Sequence, residues 1–424
     1  MAQRVEGRMH GVDVLIVGAG PAGSTAAERL AQLGHSVLVI EEHGRIGYPV
    51  QCAGLVSRRV LDLAKTPQVV RRPVHGASVF SPGLKFITFR APEPRAFVID
   101  RAGLDIALAD RAAKAGAVFE TETRFDGLAG TANGTVRAKI TRHGTGADEI
   151  AAQLVVGADG VASAVARAFR LRRPVEILPA FEAEFPESPG DPDLVEVYVG
   201  NTISPGLFGW WIPDGYGGAR VGVAASADGT PARVYYDHLL DQLARRFGQP
   251  LRNATSYLVS GIPIGTVPKI SGPHVVLVGD AAAQAKPLSG GGIFTGMRAA
   301  ELAVEVAHGA LTDGDLSAAR LSRYDDAWRR EFGDEFDKAQ YLRRLFLKFT
   351  DAELEAILEA LKDAGTTETI VAFGDIDFPT HVVRRLLRQS PSLLRLLPKA
   401  VGALWGGEGR RAPDLDFVSE RAHQ

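Results

Sequence analysis

Three glycines, Gly18, Gly20 and Gly23, stand at the spacing GxGxxG between a strand-like apolar run, Val12 to Val17, and an alanine-rich stretch of helical periodicity. That pattern suits the close approach of a backbone to a pyrophosphate. Gly18 lets the chain turn, Gly20 leaves no side chain where phosphates must come in, and Gly23 lets the helix pack closely on the strand. A helix opening at Pro21 and Ala22 would aim its unpaired N–H groups and positive dipole end at the anion. A second apolar run, Val37 to Ile40, leads to Glu41, whose carboxylate can accept hydrogen bonds from both ribose hydroxyls and disfavours a 2′-phosphate. A bare GxGxxG is a weak signal. With strand, helix, strand and terminal acid all in place, residues 12–41 predict a βαβ unit for an adenine dinucleotide.

A second candidate for chemistry is Cys52, the only cysteine of the chain. A lone cysteine is commonly a small buried hydrophobe, but this one lies in a Gly/Pro-rich loop, residues 43–56, directly after the nucleotide unit, a functional position. The same count excludes an internal disulfide and an iron–sulfur cluster ligated by this chain alone, and fits a reducing cytoplasm. Ten histidines are scattered without an HxH or HxxxH pair, so no metal site is expected.

The elements around these residues suggest a large globular enzyme. The chain has 424 residues, 46% of them hydrophobic and 23% charged, enough for a substantial core in two or three lobes. Its net charge of −2, with basic residues dispersed, gives no attraction for nucleic acid. The start is polar, without the apolar segment of a secretory leader, and no apolar run is long enough to span a bilayer. A cytoplasmic protein is expected, with peripheral membrane contact open if the substrate is a lipid.

Past the first unit, residues 57–65 read as a short helix, and residues 76–99, broken by Pro82, Pro92 and Pro94, as sheet. A helix over 103–115, a strand over 118–123 and a hairpin over 135–156 return to the nucleotide fold. From about 173 to 263 the texture changes to strands rich in Val, Phe, Tyr and Trp with one helix near 231–247, an antiparallel sheet inserted in the sequence. A strand over 274–278 and a helix over 291–307 close the nucleotide fold, and the remainder is mostly helical with a basic stretch over 382–399. The resulting division assigns 1–75, 95–172 and 265–314 to a discontinuous nucleotide domain, 76–94 and 173–264 to a substrate sheet domain, and 315–424 to a helical C-terminal region. In fold class this is α/β, a Rossmann-type domain with an inserted antiparallel-sheet domain.

Three further segments resemble, in order and spacing, those of the flavoproteins that include aromatic hydroxylases and geranylgeranyl reductases. The first is Asp100, Arg101, Gly103, Leu104 and Asp105, where the resemblance places Arg101 against the flavin nucleotide and the residues alone allow Asp100 to cap a helix. The second is Gly157, Ala158, Asp159 and Gly160 with Ser163 and Val165, read mainly as a tight turn capping the next helix. The third is Gly279, Asp280, Ala281, Ala282 with Pro287, Gly290, Gly291 and Gly292. There the resemblance implies that Asp280 holds the ribityl chain of FAD and that the N–H groups of Gly291, Gly292 and Ile293 face the pyrimidine end of its ring. An NAD enzyme needs none of these three, so the cofactor expected is FAD.

Two more stretches are similar to geranylgeranyl reductases in particular. Residues 45–55 look like their cysteine loop, which implies that Cys52, Ala53 and Gly54 lie beside the flavin and that Cys52 is catalytic. Pro205, Phe208, Trp210, Trp211, Ile212 and Pro213 are similar to their PxxYxWxFP substrate motif, with Phe208 for the tyrosine and Ile212 for the phenylalanine, and imply a substrate wall. Successive strand residues point to opposite faces, so at most one of Trp210 and Trp211 lines a given pocket. The implied activity is FAD-dependent saturation of isoprenoid double bonds, on a diphosphate, a lipid or a quinone; the electron donor is unknown, with NAD(P)H, a ferredoxin-like protein and a quinol all open. The alternative is an FAD-dependent aromatic monooxygenase, which shares the three FAD segments but has no need of the cysteine loop.

Overall fold

The computed structural model describes residues 11–389 apart from 133, 173, 175, 226–228 and 363. Most of the basic stretch expected over 382–399, and the chain beyond it, lie outside the described residues.

The apolar run Val12–Val17 forms the centre of an eight-stranded sheet. It pairs in parallel with Val37–Ile40 on one side and with Gly146–Gly157 on the other, and Val275–Leu277 extends the parallel set. Near-continuous Val, Leu and Ile are what such a strand requires, because helices cover its faces. The helix Pro21–Gln32 packs between the helices Arg101–Lys114 and Ile293–Asp313, and their alanine-rich faces join the strands in one core. The strand Gly146–Gly157 runs on into an antiparallel set with Thr135–Arg142 and Thr123–Ala132. The last of these ends the strand predicted over 118–123 early, at Glu120, because the chain turns before Thr123.

A second sheet holds seven strands in the order Ser256–Ile264, Glu176–Phe185, Ala219–Ala224, Phe208–Pro213, Leu194–Tyr198, Gly76–Phe80 and Phe86–Arg90. It is antiparallel except where Leu194–Tyr198 meets Gly76–Phe80. Those two strands come from distant parts of the chain, so no hairpin fixes their relative direction. The helix Ala232–Phe247 covers one face, burying Tyr198, Trp211, Val221 and Val223. The other face turns toward the nucleotide fold. Between the sheets, Ala96–Ile99 joins Leu55–Val56 and Val70–Val74 in a three-stranded sheet. Helices from Ala318–Trp328 to Thr380–Gln389 complete the described chain, with a π-helical turn at Arg329–Gly333. Among the described residues no helix is long and apolar enough to cross a membrane.

Candidate functional site

One cavity of about 1570 Å³ runs from the glycine turn to the free face of the second sheet. At the nucleotide end the turn is built as its sequence requires. Gly18 has φ +103°, and a Cβ there would stand 2.4 Å from the Ala158 carbonyl oxygen. A Cβ on Gly23 would strike the Gly18 oxygen at 2.0 Å, so the helix can approach the strand only with glycine at 23. Beside Gly20 there is open space. Glu41 spans turn and strand: Oε2 accepts from the Ala19 N–H at 3.0 Å, while Oε1 accepts from the His43 N–H at 3.1 Å.

At the helix Arg101–Lys114 the capping reading holds for Asp100. The Asp100 carboxylate caps the helix, accepting from the Gly103 N–H at 2.9 Å. Arg101 points into the buried site, where it pairs with Asp105 and lies against Cys52. Burial opposes its charge, yet Asp105 and Cys52 leave its pKa above the ordinary arginine value. The Arg101 Nε is buried without a hydrogen-bond partner among the described residues. On the turn Gly279–Ala282, burial raises the Asp280 carboxyl to about 6, against the pull of Arg101. A Cβ on Gly292, at the mouth of the helix Ile293–Asp313, would come within 3.1 Å of Asp280 Oδ1. Asp159 has the structural role read for it, accepting from Ser163 Oγ at 2.7 Å and the Val165 N–H at 3.0 Å.

These features fit FAD. An open cradle at Gly20 sits on a helix N-terminus, a buried arginine has a spare donor, and an acid lies beside glycines at a second helix start. Bound there, the cofactor would be held by the turn at 18–23, Glu41, Arg101, Asp280 and the N–H groups of residues 291–293.

Cys52 lines the same cavity and lies against Arg101. Its Sγ accepts from the Gly54 N–H at 3.4 Å, and the loop is fastened by Arg220, a buried residue of the second sheet whose Nη1 donates to the Ala53 carbonyl at 2.6 Å. Gly54, with φ +69°, makes room for that guanidinium, since a Cβ would lie 2.4 Å from Arg220 Nη1. Arg220 carries no sequence signal, because only the packing of one sheet on another gives it a role.

Along the sheet, Phe208, Trp210 and Ile212 alternate onto the cavity wall with Ala77, Phe89 and Ile262. Trp211, expected with them, faces the other way, fully buried against Phe247 under the covering helix. Pro205 precedes the strand and Pro213 ends it, neither lining the cavity, and Gly23 is enclosed by turn and helix. Across one intervening strand from Trp210 lies Glu182, a cavity residue without a motif of its own, whose Oε2 accepts from the indole N–H at 2.7 Å. Lys286, just before the glycines, pairs with Asp377 at 2.7 Å and brings the loop 374–378 to the cavity edge.

A sheet-centred nucleotide fold and a cleft shaped for a dinucleotide beside an apolar wall define an FAD-binding flavoprotein, and the FAD binding domain family matches residues 11–335. Digeranylgeranylglycerophospholipid reductase 1 of Methanothermobacter thermautotrophicus is 34% identical over 405 residues, covering 92% of this chain and 98% of the relative. The digeranylgeranylglycerophospholipid reductase of Methanosarcina acetivorans is 33% identical over 367 residues, covering 83% and 88%. The chain belongs to this reductase family. A solved geranylgeranyl bacteriochlorophyll reductase-like protein of Thermoplasma acidophilum superposes with a TM-score of 0.81 at 25% identity, over 94% of this chain and 99% of that one.

Proposed function

We propose that the protein saturates carbon–carbon double bonds of geranylgeranyl or other polyprenyl chains, carried on a diphosphate, a glycerolipid or a quinone. The observation that carries this reading is the continuity of the cavity, in which the glycine turn, Arg101 and Asp280 share one space with the apolar row Phe208, Trp210 and Ile212. When bound and reduced, FAD supplies a hydride for one alkene carbon. An isolated alkene has no carbonyl to absorb charge, so the chain's own residues must hold the double bond in place, exclude water and present a proton to the other carbon. The apolar wall serves the first two needs, and burial of a polyprenyl tail there contributes about 0.8 kcal/mol per CH2. Cys52, which lines this cavity and lies against Arg101, is the candidate catalytic residue of the loop. With a single GxGxxG unit in the chain, the flavin is reduced by a transiently bound NAD(P)H, a ferredoxin-like protein or a quinol. A lipid substrate favours peripheral contact with the membrane surface.

The test is anaerobic. Protein reduced with dithionite under argon and mixed with geranylgeranyl glycerolipids is expected to be reoxidised, with the lipid gaining two hydrogens per bond. An aromatic monooxygenase would leave the prenyl chains unchanged and reoxidise only with oxygen.

A further inference from the structure

Across three strands of the second sheet runs a row of residues in register. Trp210 on Phe208–Pro213 is opposite Gly222 on Ala219–Ala224, and Gly222 is opposite Glu182 on Glu176–Phe185. A Cβ on Gly222 would stand 2.4 Å from Trp210 Cζ2 and 2.9 Å from Glu182 Cβ. The missing side chain therefore lets the indole lie across the middle strand and donate its Nε1–H to Glu182 Oε2 at 2.7 Å. Glu182 is 4% exposed, and the small surface it keeps lies on the cavity. Its neighbours on that face are apolar, Leu178, Ala180, Leu207, Phe208 and Ile262.

The charged and titratable groups facing Glu182 are few. Arg220 comes from the middle strand, but its guanidinium is committed to the Ala53 carbonyl and to Glu184, 3.2 Å away. Glu184 follows on Glu182's own strand, and Tyr236, on the covering helix, lies on the far side of the sheet. Burial outweighs the indole N–H and Arg220, and pushes the Glu182 carboxyl up to about 7. Phe208, the other ring on this wall, has its centroid 6.3 Å from that of Trp210 and carries no hydroxyl.

We infer that Glu182 is a catalytic residue, the acid that gives its proton to the alkene carbon not taking the hydride, and that Trp210 is the positioning residue that fixes its carboxyl. The inference rests on the prenyl-chain reading above. In the step, the π bond breaks, one carbon takes the hydride that the reduced cofactor supplies, and the other takes the proton from the Glu182 carboxyl. The resulting carboxylate regains a proton from water when the product leaves. Trp210 occupies Oε2, and no described residue donates to Oε1, which is the oxygen assigned to face the substrate.

The experiment uses full-length, FAD-loaded protein reduced with dithionite under argon and mixed with geranylgeranyl diphosphate in single turnover. Glu182→Gln keeps an acceptor for the indole and loses the proton. It is expected to bind the polyprenyl as wild type does and to saturate it about 100-fold more slowly, within the range for loss of a general acid. Wild type is expected to lose rate as pH rises through about 7. Glu182→Asp should restore part of the rate with the same alkaline limb. Trp210→Phe should move the limb to higher pH, since the carboxylate loses its donor. Independently of turnover, the carboxylic-acid carbonyl stretch in the infrared should titrate in the same range and be absent from Glu182→Gln. If wild type saturates the chain and Glu182→Gln does so equally fast with the same pH profile, the inference is overturned and the prenyl reading stands. If wild type saturates no polyprenyl, both fall.

Discussion

Lys286 Nζ lies 2.7 Å from Asp377 Oδ1, a buried ion pair between residues 91 positions apart that ties the turn before the three glycines to the C-terminal helical region. Lys286 also donates to the Ile376 carbonyl at 2.9 Å, and Asp377 Oδ2 accepts from Arg59 at 3.2 Å. The loop 374–378 is thus held against the cavity by charge, with Ile376 packed on the same apolar cluster as Trp210 and Ala53.

Removing Lys286 leaves the buried Asp377 with Arg59 as its remaining charged partner. Lys286→Met is expected to destabilise the protein by about 3 kcal/mol, read as a lower denaturant midpoint, and to loosen FAD. Lys286→Met with Asp377→Leu should recover most of the loss, because no charge is then left uncompensated. A double variant as weak as the single would show that the pair's geometry, not its charge balance, sustains the loop.

Arg220 clamps the cysteine loop through the Ala53 carbonyl, and its removal should free Cys52. Arg220→Met is expected to raise the rate of Cys52 alkylation by about tenfold, since local opening costing 1.4 kcal/mol less exposes the thiol ten times as often. Cys52 is the only cysteine, so the modified mass reports it without ambiguity. An unchanged alkylation rate would mean the loop is held by its own turns.

What the sequence made legible was local. The βαβ unit, the cap at Asp100 and the turn at Asp159 depend on residues a few positions apart, and each formed as its spacing predicts. Strand alternation established that only one of Trp210 and Trp211 could face the cavity, but which one depends on where the covering helix lies. Glu182, Arg220 and the Lys286–Asp377 pair were not visible as a site, because cross-strand register and packing between sheets place them, and neither leaves a periodic trace. Gly222 is the sharpest case: in the sequence it is one glycine among 47.

Gly222→Ala tests that case. The added methyl would overlap the indole at 2.4 Å, so Trp210 must swing away and break its bond to Glu182. The expected cost is about 1–3 kcal/mol from overpacking. Quenching of tryptophan fluorescence by an added polyprenyl should weaken as well, because the displaced indole obstructs the channel. Unaltered stability and quenching would show that the three strands part enough to admit a methyl.

Cys52→Ala separates the cysteine's chemistry from its structure. The side chain is half-buried, accepts a weak hydrogen bond from the Gly54 N–H and lies against Arg101, so the variant should fold and keep FAD with its visible spectrum unchanged. Prenyl saturation in single turnover is expected to fall by about tenfold, short of the fall expected for Glu182→Gln, because the proton comes from Glu182. Turnover equal to wild type would remove Cys52 from the mechanism.

Glu182 should also leave a mark on stability. Burial raises its carboxyl from the ordinary 4.5 to about 7, so the folded protein binds a proton that the unfolded chain has released over that range. Its contribution is therefore complete below about pH 4.5 and is lost as pH rises through about 7. At roughly 1.4 kcal/mol per unit, the difference is of the order of 3 kcal/mol. Asp280, raised to about 6 from 3.8, acts in the same sense over a lower range. Denaturant midpoints measured on wild type from pH 5 to pH 8 should fall, and Glu182→Gln, which cannot titrate, should lose the upper part of that fall and keep the part due to Asp280. Curves of equal slope for the two proteins would show that the Glu182 carboxyl is ionised throughout.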